Sequence, residues 1–147
     1  MSKISKVIAR QVYDSRGNPT VEAEVFANNM RARAICPSGA STGSYEAYER
    51  RDASNKKYLG KSVLNAVKLV NTIISKKLKN QNIHNQEKID YILINLDGTK
   101  QKKKFGANAL LAVSMAVKKL SARIKKTPLY KTFLIKKNFK LPYPLMN

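Results

Sequence analysis

Cysteine and histidine are nearly absent from the sequence, which contains one of each. Cys36 has no second cysteine with which to form an internal disulfide, so the chain suits a reducing compartment such as the cytoplasm. It is predicted to be a small buried residue rather than a nucleophile. His84 alone cannot build a histidine-based metal cluster or a Ser/His/Asp triad. Its position before a predicted helix favours a surface role.

Long apolar runs are absent as well. No run approaches the roughly 18–20 residues that a membrane-spanning helix needs, and the N-terminus lacks the apolar stretch of a secretory signal. The chain has 147 residues, of which 43% are hydrophobic, so it is long enough to bury a core. These features predict one soluble cytoplasmic domain with no membrane span.

Acidic residues are also scarce: the chain has 9 of them against 29 lysines and arginines, a formal net charge of +20. Such a surplus points to nucleic acid, an acidic partner or an anionic surface. However, lysine dominates it, and no aromatic residues interleave the lysine pairs as stacking platforms for bases. A solvated lysine surface is therefore favoured over a dedicated nucleic-acid site. Either surface should bind polyanions non-specifically, with an affinity that falls as salt rises.

A hydrophobic period of two predicts three strands in the N-terminal part of the chain. The first covers residues 3–13, and the second covers residues 20–26, where small apolar residues alternate with polar ones. Arg31 and Arg33 alternate with alanines in the third strand. The pair Asn28-Asn29 suits a two-residue hairpin turn because asparagine tolerates positive φ. The strands are therefore predicted to form an antiparallel meander.

A period of 3.6 residues takes over after the strands and predicts helices. Short helices are expected at 46–51 and, opened by Pro128, at 128–134. Three longer helices are predicted from the apolar stripes Val63, Val67, Val70, Ile74 and Leu78; Ile89, Ile92 and Leu93; and Leu110, Val113, Val117, Leu120 and Ile124. Asn85 is the predicted N-cap of the middle one, and Gly98 should end it. The predicted fold class is α+β, a three-stranded antiparallel meander followed by about four to five helices.

Three carboxylates are spaced as if they lay on one side of the short helix at 46–51. Glu46, Glu49 and Asp52 are three residues apart, which brings side chains to one face of a helix. No further aspartate or histidine completes a site around them, so they are interpreted as a solvated face. From its own side chains, the sequence therefore predicts no complete catalytic site.

The stretch 37–44, Pro-Ser-Gly-Ala-Ser-Thr-Gly-Ser, is the part of the chain that looks suited to a ligand. Glycine lets the backbone approach a ligand closely, and hydroxyls supply hard oxygen atoms, so such a loop can close over an anion or a metal ion. The same composition equally suits a plain polar connector. Both interpretations stay open on composition alone.

Five motifs stand in the chain in the order and at the spacing of enolase: DSRGNPTVE at 14–22, PSGASTG at 37–43, LDGT at 96–99, KFGANA at 104–109 and LPYPLMN at 141–147. From Lys3 to its last residue the chain resembles the N-terminal domain of a bacterial enolase. The resemblance implies a domain at 1–140. It also implies that 141–147 starts the linker into the family's α/β barrel, which is absent from this chain.

The resemblance implies an activity for the complete enzyme. Enolases are lyases that reversibly dehydrate 2-phosphoglycerate to phosphoenolpyruvate in glycolysis, as homodimers with two Mg²⁺ ions in each active site. The family's lysine base, glutamate acid and carboxylate ligands of the first Mg²⁺ belong to the barrel. No catalytic residue is therefore expected in this chain, which is predicted to be inactive by itself.

The resemblance also assigns roles to residues of this chain. The family's mobile lid loop matches Ser38, Gly39, Ala40, Ser41, Thr42 and Gly43. Ser41 would ligate the second Mg²⁺ when the lid closes. Arg10 and Glu22 match positions that form salt bridges across the enolase dimer. Without the barrel of a partner subunit, both side chains are expected to face water.

Other origins of the chain stay open. It could be one half of a split enzyme, or a degenerate product that acts as a non-catalytic basic binding module. The net charge of +20 is a departure from the family, in which most members are acidic.

Overall fold

A computed structural model describes the chain over residues 2–39, 43–53, 57–133 and 143–145. It begins with a three-stranded sheet in the order β1-β2-β3, in which both neighbouring pairs are antiparallel. The strands are β1 (Lys6–Tyr13), β2 (Pro19–Ala27) and β3 (Met30–Cys36). The predicted meander is confirmed, although β1 begins at Lys6 rather than at residue 3.

Two short turns connect the strands. The carboxylate of Asp14 accepts hydrogen bonds from the backbone N–H groups of Arg16 and Asn18, both at 2.9 Å. This turn joins β1 to β2. Asn28 and Asn29 have φ values of 50° and 58°, the left-handed conformation that a tight hairpin between β2 and β3 requires. The hairpin turn forms where the sequence predicts it.

The three longer predicted helices are all present. The first is continuous through α1 (Leu64–Leu69), a π-helical turn (Val70–Ile74) and α2 (Ser75–Leu78), and it is followed by α3 (Gln86–Asp97), α4 (Ala107–Ile124) and a 3₁₀ turn (Leu129–Phe133). The side chain of Asn85 accepts a hydrogen bond from the Lys88 backbone N–H at 3.0 Å. Gly98 follows α3 with a φ of 67°. The α+β fold class is confirmed.

The core lies between one face of the sheet and the helices. Val21, Ala23 and Val25 of β2 are fully buried, and α4 packs across β2 and β3. The helices contribute the buried side chains Val63, Val70, Ile74, Leu78, Ile89, Ala109, Ala112, Val113, Ala116, Val117 and Leu120. These include most of the stripes from which the helices are predicted. Among the described residues, no helix is long and apolar enough to cross a membrane.

Side chains from the helices cover both edges of the sheet. At the β1 edge, the Asn71 amide accepts from the Ala9 N–H at 2.7 Å and donates to the Ala9 carbonyl at 3.0 Å. At the β3 edge, the Arg123 guanidinium donates to the Arg31 carbonyl at 2.7 Å. Each contact satisfies a backbone group that an open edge would offer to another strand.

The helix predicted at 46–51 is wrong, because this segment is irregular. Its backbone groups bond to the start of α4 instead of to one another. The Tyr48 carbonyl accepts from the Ala107 N–H at 2.8 Å. The Arg50 N–H donates to the Asn108 side-chain oxygen at 3.1 Å, and the Arg50 carbonyl accepts from the Asn108 amide at 3.0 Å. These tertiary bonds replace the local ones that a short helix would make.

Candidate functional site

The ligand-loop candidate at 37–44 follows the last residue of β3. The structure describes its two ends, Pro37 to Gly39 and Gly43 to Ser44. Ala40, Ser41 and Thr42 lie outside the described residues, so the role of Ser41 as a metal ligand stays a prediction. The described part of the site consists of the residues that contact Ser38 and Gly39 at the first end of the loop.

Ser38 is held by two charged side chains of opposite sign. Its hydroxyl donates to the Glu49 carboxylate, with oxygen–oxygen distances of 2.6 and 2.7 Å. The same hydroxyl accepts from the Arg51 guanidinium at 2.6 Å, and Arg51 also pairs directly with Glu49 at 2.9 Å. Hydrogen bonds to ionised groups are stronger than neutral ones. The three side chains therefore form a closed, charge-assisted triangle at the base of the loop.

Arg16 holds the backbone of the same residues from another side. Its guanidinium donates to the carbonyl of Ser38 at 2.8 Å and to that of Gly39 at 3.1 Å. Arg16 belongs to the turn between β1 and β2, and Arg51 donates to the carbonyl of Pro19, the first residue after that turn, at 3.2 Å. The first turn of the chain and the start of the loop are thus joined by two arginines.

Asp52 is buried, so the prediction of a solvated carboxylate face is wrong for this residue, whereas Glu46 is exposed as predicted. Asp52 does not belong to a helix, but its side chain contacts the first residues of α1. Only 6% of the residue is exposed. One carboxylate oxygen accepts from the Ser62 hydroxyl and the Leu64 N–H, both at 2.9 Å, and the other accepts from the Asn65 N–H at 3.2 Å. These N–H groups have no partner inside the helix, and a carboxylate is favourable at the positive end of its dipole. Asp52 therefore caps α1.

A cleft of about 570 Å³ lies beside the ends of the loop. Its walls include Cys36, Ser38, Gly39, Gly43, Glu46, Glu49, Arg51 and Asn108. Cys36 is only half-buried, and this burial raises the pKa of its thiol. A raised pKa leaves little thiolate at neutral pH, which supports the prediction that Cys36 is not a nucleophile.

Arg10 and Glu22, the predicted dimer contacts, pair with each other within this chain. Their side chains meet at 2.8 Å, and the other end of the Arg10 guanidinium meets Glu24 at 2.8 Å. Only 5% of the Glu22 side chain is exposed, whereas 45% of the Arg10 side chain is. The expectation that both face water is therefore wrong for Glu22, because a long arginine from the neighbouring strand lies across it. Their role at a subunit interface stays a prediction.

His84 has a structural partner. Its Nδ1 lies 2.9 Å from the Ser121 hydroxyl, which joins the segment before α3 to α4. Burial, together with the positive charge of Lys125, lowers the pKa of His84. The side chain is half-buried rather than on the open surface, and it lies outside the cleft beside the loop.

Comparison with known proteins identifies the family of this chain. Residues 4–133 match the family model described as the enolase N-terminal domain. The chain belongs to the enolase family. It is 73% identical to the enolase of Pelagibacter ubique (strain HTCC1062) over 147 residues, which are 100% of this chain and 35% of that enolase. It is 53% identical to the enolase of Methanosarcina mazei over 145 residues, which are 99% of this chain and 34% of that protein. The chain thus spans about a third of the length of these relatives.

Enolases are expected to use Mg²⁺, an ion that prefers six oxygen ligands, often including carboxylates. The Glu49 carboxylate is already neutralised by Arg51 and bonded to Ser38. Across 2–39, 43–53, 57–133 and 143–145, no group of three or more acidic, histidine or cysteine side chains is placed to hold a metal. The described part of this enolase domain therefore does not form a complete Mg²⁺ site.

Arg16, Glu49 and Arg51 are site residues that the sequence alone did not predict. Arg16 lies inside a motif that predicts only the enolase family, and Glu49 was expected on a solvated face. The sequence did indicate a charged cluster, through the two arginines and two acids at 49–52. This pattern does not predict a contact with residue 38, because nothing in the sequence links the two segments.

Proposed function

We propose that this chain is the lid-bearing N-terminal part of an enolase, a lyase that interconverts 2-phosphoglycerate and phosphoenolpyruvate in glycolysis. The complete enzyme would use Mg²⁺ and act in the cytoplasm as a homodimer. In this proposal the chain supplies the loop at 37–44, while the residues that transfer protons belong to the barrel. The chain by itself is therefore proposed to be inactive.

The observation that carries the proposal is the meeting of two enolase motifs that are distant in the sequence. The guanidinium of Arg16, in the motif DSRGNPTVE, donates to the carbonyls of Ser38 and Gly39, in the motif PSGASTG. The identity of 73% to the Pelagibacter enolase extends over both motifs and over the whole chain. A loop with the family's residues is thus held at its first end by another of the family's motifs.

The chain's own residues would prepare the loop for its role rather than carry out chemistry. Arg16, Glu49 and Arg51 fix the backbone and hydroxyl of Ser38, so the loop would leave the sheet in one direction. Ser41 would present its oxygen atoms to the second Mg²⁺. When bound, Mg²⁺ would stabilise the negative charge that develops as a proton leaves the substrate. Exclusion of water by the loop would strengthen that stabilisation.

The proposed dimer contact would involve a pair that is already formed. Arg10 bridges Glu22 and Glu24 within the sheet, so a partner subunit would meet charges that are already paired rather than two isolated charges. A contact through Arg10 is the more accessible of the two, because this side chain is 45% exposed.

A chimaera tests the proposal. The part of the Pelagibacter enolase that follows its match to this chain is fused after Asn147, and formation of phosphoenolpyruvate from 2-phosphoglycerate is measured with Mg²⁺. The expected result is activity within about tenfold of the intact Pelagibacter enolase, and none with this chain alone. In the chimaera, Ser41→Ala should lower kcat by at least about tenfold, because a metal ligand is lost.

The intact Pelagibacter enolase serves as the control for assay and fold. A folded chimaera with no activity, beside an active control, would contradict the assignment of this chain to a working enolase. Activity of the isolated chain would contradict the proposal that proton transfer belongs to the barrel.

A further inference from the structure

Arginine is unevenly placed in this chain. Seven of its 29 basic residues are arginines, and four of those seven line one groove beside β3, whose volume is about 730 Å³. The charged side chains of the groove are Arg10, Glu24, Arg31, Arg33, Lys119 and Arg123. The rest of the chain obtains its positive charge mainly from lysine. A groove built from arginine therefore offers planar, forked donors where the general surface offers point charges.

Arg31 and Arg33 are only weakly paired with the carboxylates near them. Arg10 contacts both Glu22 and Glu24 at 2.8 Å and so offsets one of their two negative charges. Arg31 reaches Glu24 only at 3.4 Å, and Arg33 reaches Glu22 only at 3.8 Å. The Arg31 and Arg33 side chains are 68% and 71% exposed. These ion pairs are long and their arginine ends lie largely in water, so they contribute little, and both guanidinium groups can bind another anion.

The opposite wall of the groove adds two cations at a fixed position. Lys119 and Arg123 are four residues apart on α4 and so project from the same face of the helix. Arg123 donates to the Arg31 carbonyl at 2.7 Å, and Lys119 donates to the Arg33 carbonyl at 3.5 Å. These backbone contacts keep the two side chains over the edge of β3. The groove and its rim thus bring five cations together with two carboxylates.

We propose that this arginine groove binds a small anion that carries two or more phosphate groups. Guanidinium groups bind phosphate through paired N–H donors. The excess of positive charge favours a multiply charged ligand over a single carboxylate, and the volume lies in the range of small-molecule sites. Inorganic triphosphate and the triphosphate of a nucleotide share this chemistry. The groove lies at the start of β3, whereas the loop at 37–44 follows its last residue, so binding in the groove does not require the loop. Arg10 is shared with the proposed dimer contact, and for this reason the test alters Arg31 and Arg33 and leaves Arg10 in place.

The test is a calorimetric titration of the whole chain with inorganic triphosphate at physiological salt. Arg31→Gln with Arg33→Gln should weaken binding at least about tenfold, because two forked donors are lost. Arg31→Lys with Arg33→Lys keeps the net charge and should still weaken binding several-fold. The control is Lys76→Gln with Lys77→Gln, which removes the same charge from α2. It should change affinity less than about twofold, since exposed charges at a distance are screened.

Equal losses in the glutamine pair and the lysine control would overturn the proposal, since binding would then reflect net charge only. Unchanged affinity in the Arg→Lys pair would also overturn it, as would no binding of triphosphate by the unaltered chain. ATP should bind with the same dependence on Arg31 and Arg33. If a single-stranded oligonucleotide depended on these arginines and triphosphate did not, the ligand would be a nucleic-acid backbone and the small-anion proposal would fail. Circular dichroism and thermal unfolding confirm that each variant is folded.

Discussion

The hydroxyl of Ser38 lies 2.6 Å from a carboxylate oxygen of Glu49 and 2.6 Å from a guanidinium nitrogen of Arg51. It donates to the first and accepts from the second, so a neutral side chain bridges two opposite charges that also pair directly with each other at 2.9 Å. The segment at 46–53 therefore contributes to the base of the loop at 37–44.

Arg51→Ala should lower the free energy of unfolding by about 1.5–3 kcal/mol, because Glu49 and the Pro19 carbonyl each lose a charged donor. Ser38→Ala should cost only about 1 kcal/mol, since Arg51 and Glu49 remain paired at 2.9 Å. Urea unfolding followed by circular dichroism measures both. An Arg51→Ala variant as stable as the unaltered chain would show that the triangle does not stabilise the fold.

Asp52 should matter more to stability than an acidic residue exposed on another helix. Asp52→Asn loses the negative charge that faces the N-terminus of α1 and should cost about 1–2 kcal/mol of unfolding free energy. Glu87→Gln in the first turn of α3 removes the same charge from an exposed position. It should cost less than about 0.5 kcal/mol. Equal effects in urea unfolding would contradict the assignment of Asp52 as a cap.

Alanine substitutions at Gly106 and Gly17 should distinguish the cost of backbone strain from the cost of steric overlap. Both have positive φ, 90° and 74°. A Cβ at Gly106 would lie 2.5 Å from the Asn108 side-chain oxygen and 2.9 Å from the Arg50 nitrogen, whereas one at Gly17 would meet nothing within 4 Å. Gly17→Ala should therefore cost about 1–2 kcal/mol of stability, and Gly106→Ala at least about 3 kcal/mol. The two Tm values give the comparison, and similar losses would refute the close packing of Arg50 against α4.

Asp97 should make stability depend on pH in acid. Burial favours its neutral form, but hydrogen bonds from Thr99 and from the Phe105 N–H at 2.7 Å outweigh burial and hold the pKa of Asp97 below its ordinary value. The ionised form thus stabilises the fold above the unfolded-state pKa of about 3.9, and this stabilisation is lost as pH falls through the lower folded-state pKa.

Unfolding free energies measured at pH 7 and at pH 3 test this prediction. Asp97→Asn should lose stability at pH 7 and should show a smaller drop between the two pH values than the unaltered chain. Asp14→Asn is the comparison, because hydrogen bonds from Asn18 and Arg16 also lower the pKa of Asp14, but at an exposed turn. An unchanged drop in the Asp97→Asn variant would show that other groups cause the acid sensitivity.

Local patterns of the chain were sufficient for most of its secondary structure. The alternation in residues 20–26 predicted β2, and the stripe from Val63 to Leu78 predicted a continuous helix. Asn28-Asn29 and Asn85 act at the positions predicted for them. Each of these features depends on neighbours within a few residues, and that is why periodicity and turn chemistry can detect it.

The expectations that failed concern residues whose partners are distant in the sequence. The carboxylates at 46–52 have helical spacing, yet Glu49 pairs with Ser38 and Asp52 caps α1. Glu22 alternates like a surface residue but is buried beneath Arg10. Backbone groups at 48 and 50 find partners at the start of α4, which removes the reason for a local helix.

By itself the sequence determined the strands, the longer helices, the turns and, through five motifs, the resemblance to enolase. Only the tertiary structure decided which charges meet. It brought Arg16 and Arg51 to the base of the loop, placed Asp52 at a helix end and gathered four arginines beside β3. The physical reason is the separation in sequence over which each effect acts. Periodicity and propensity act between near neighbours, whereas the partner of a charge is set by the packing of the whole chain.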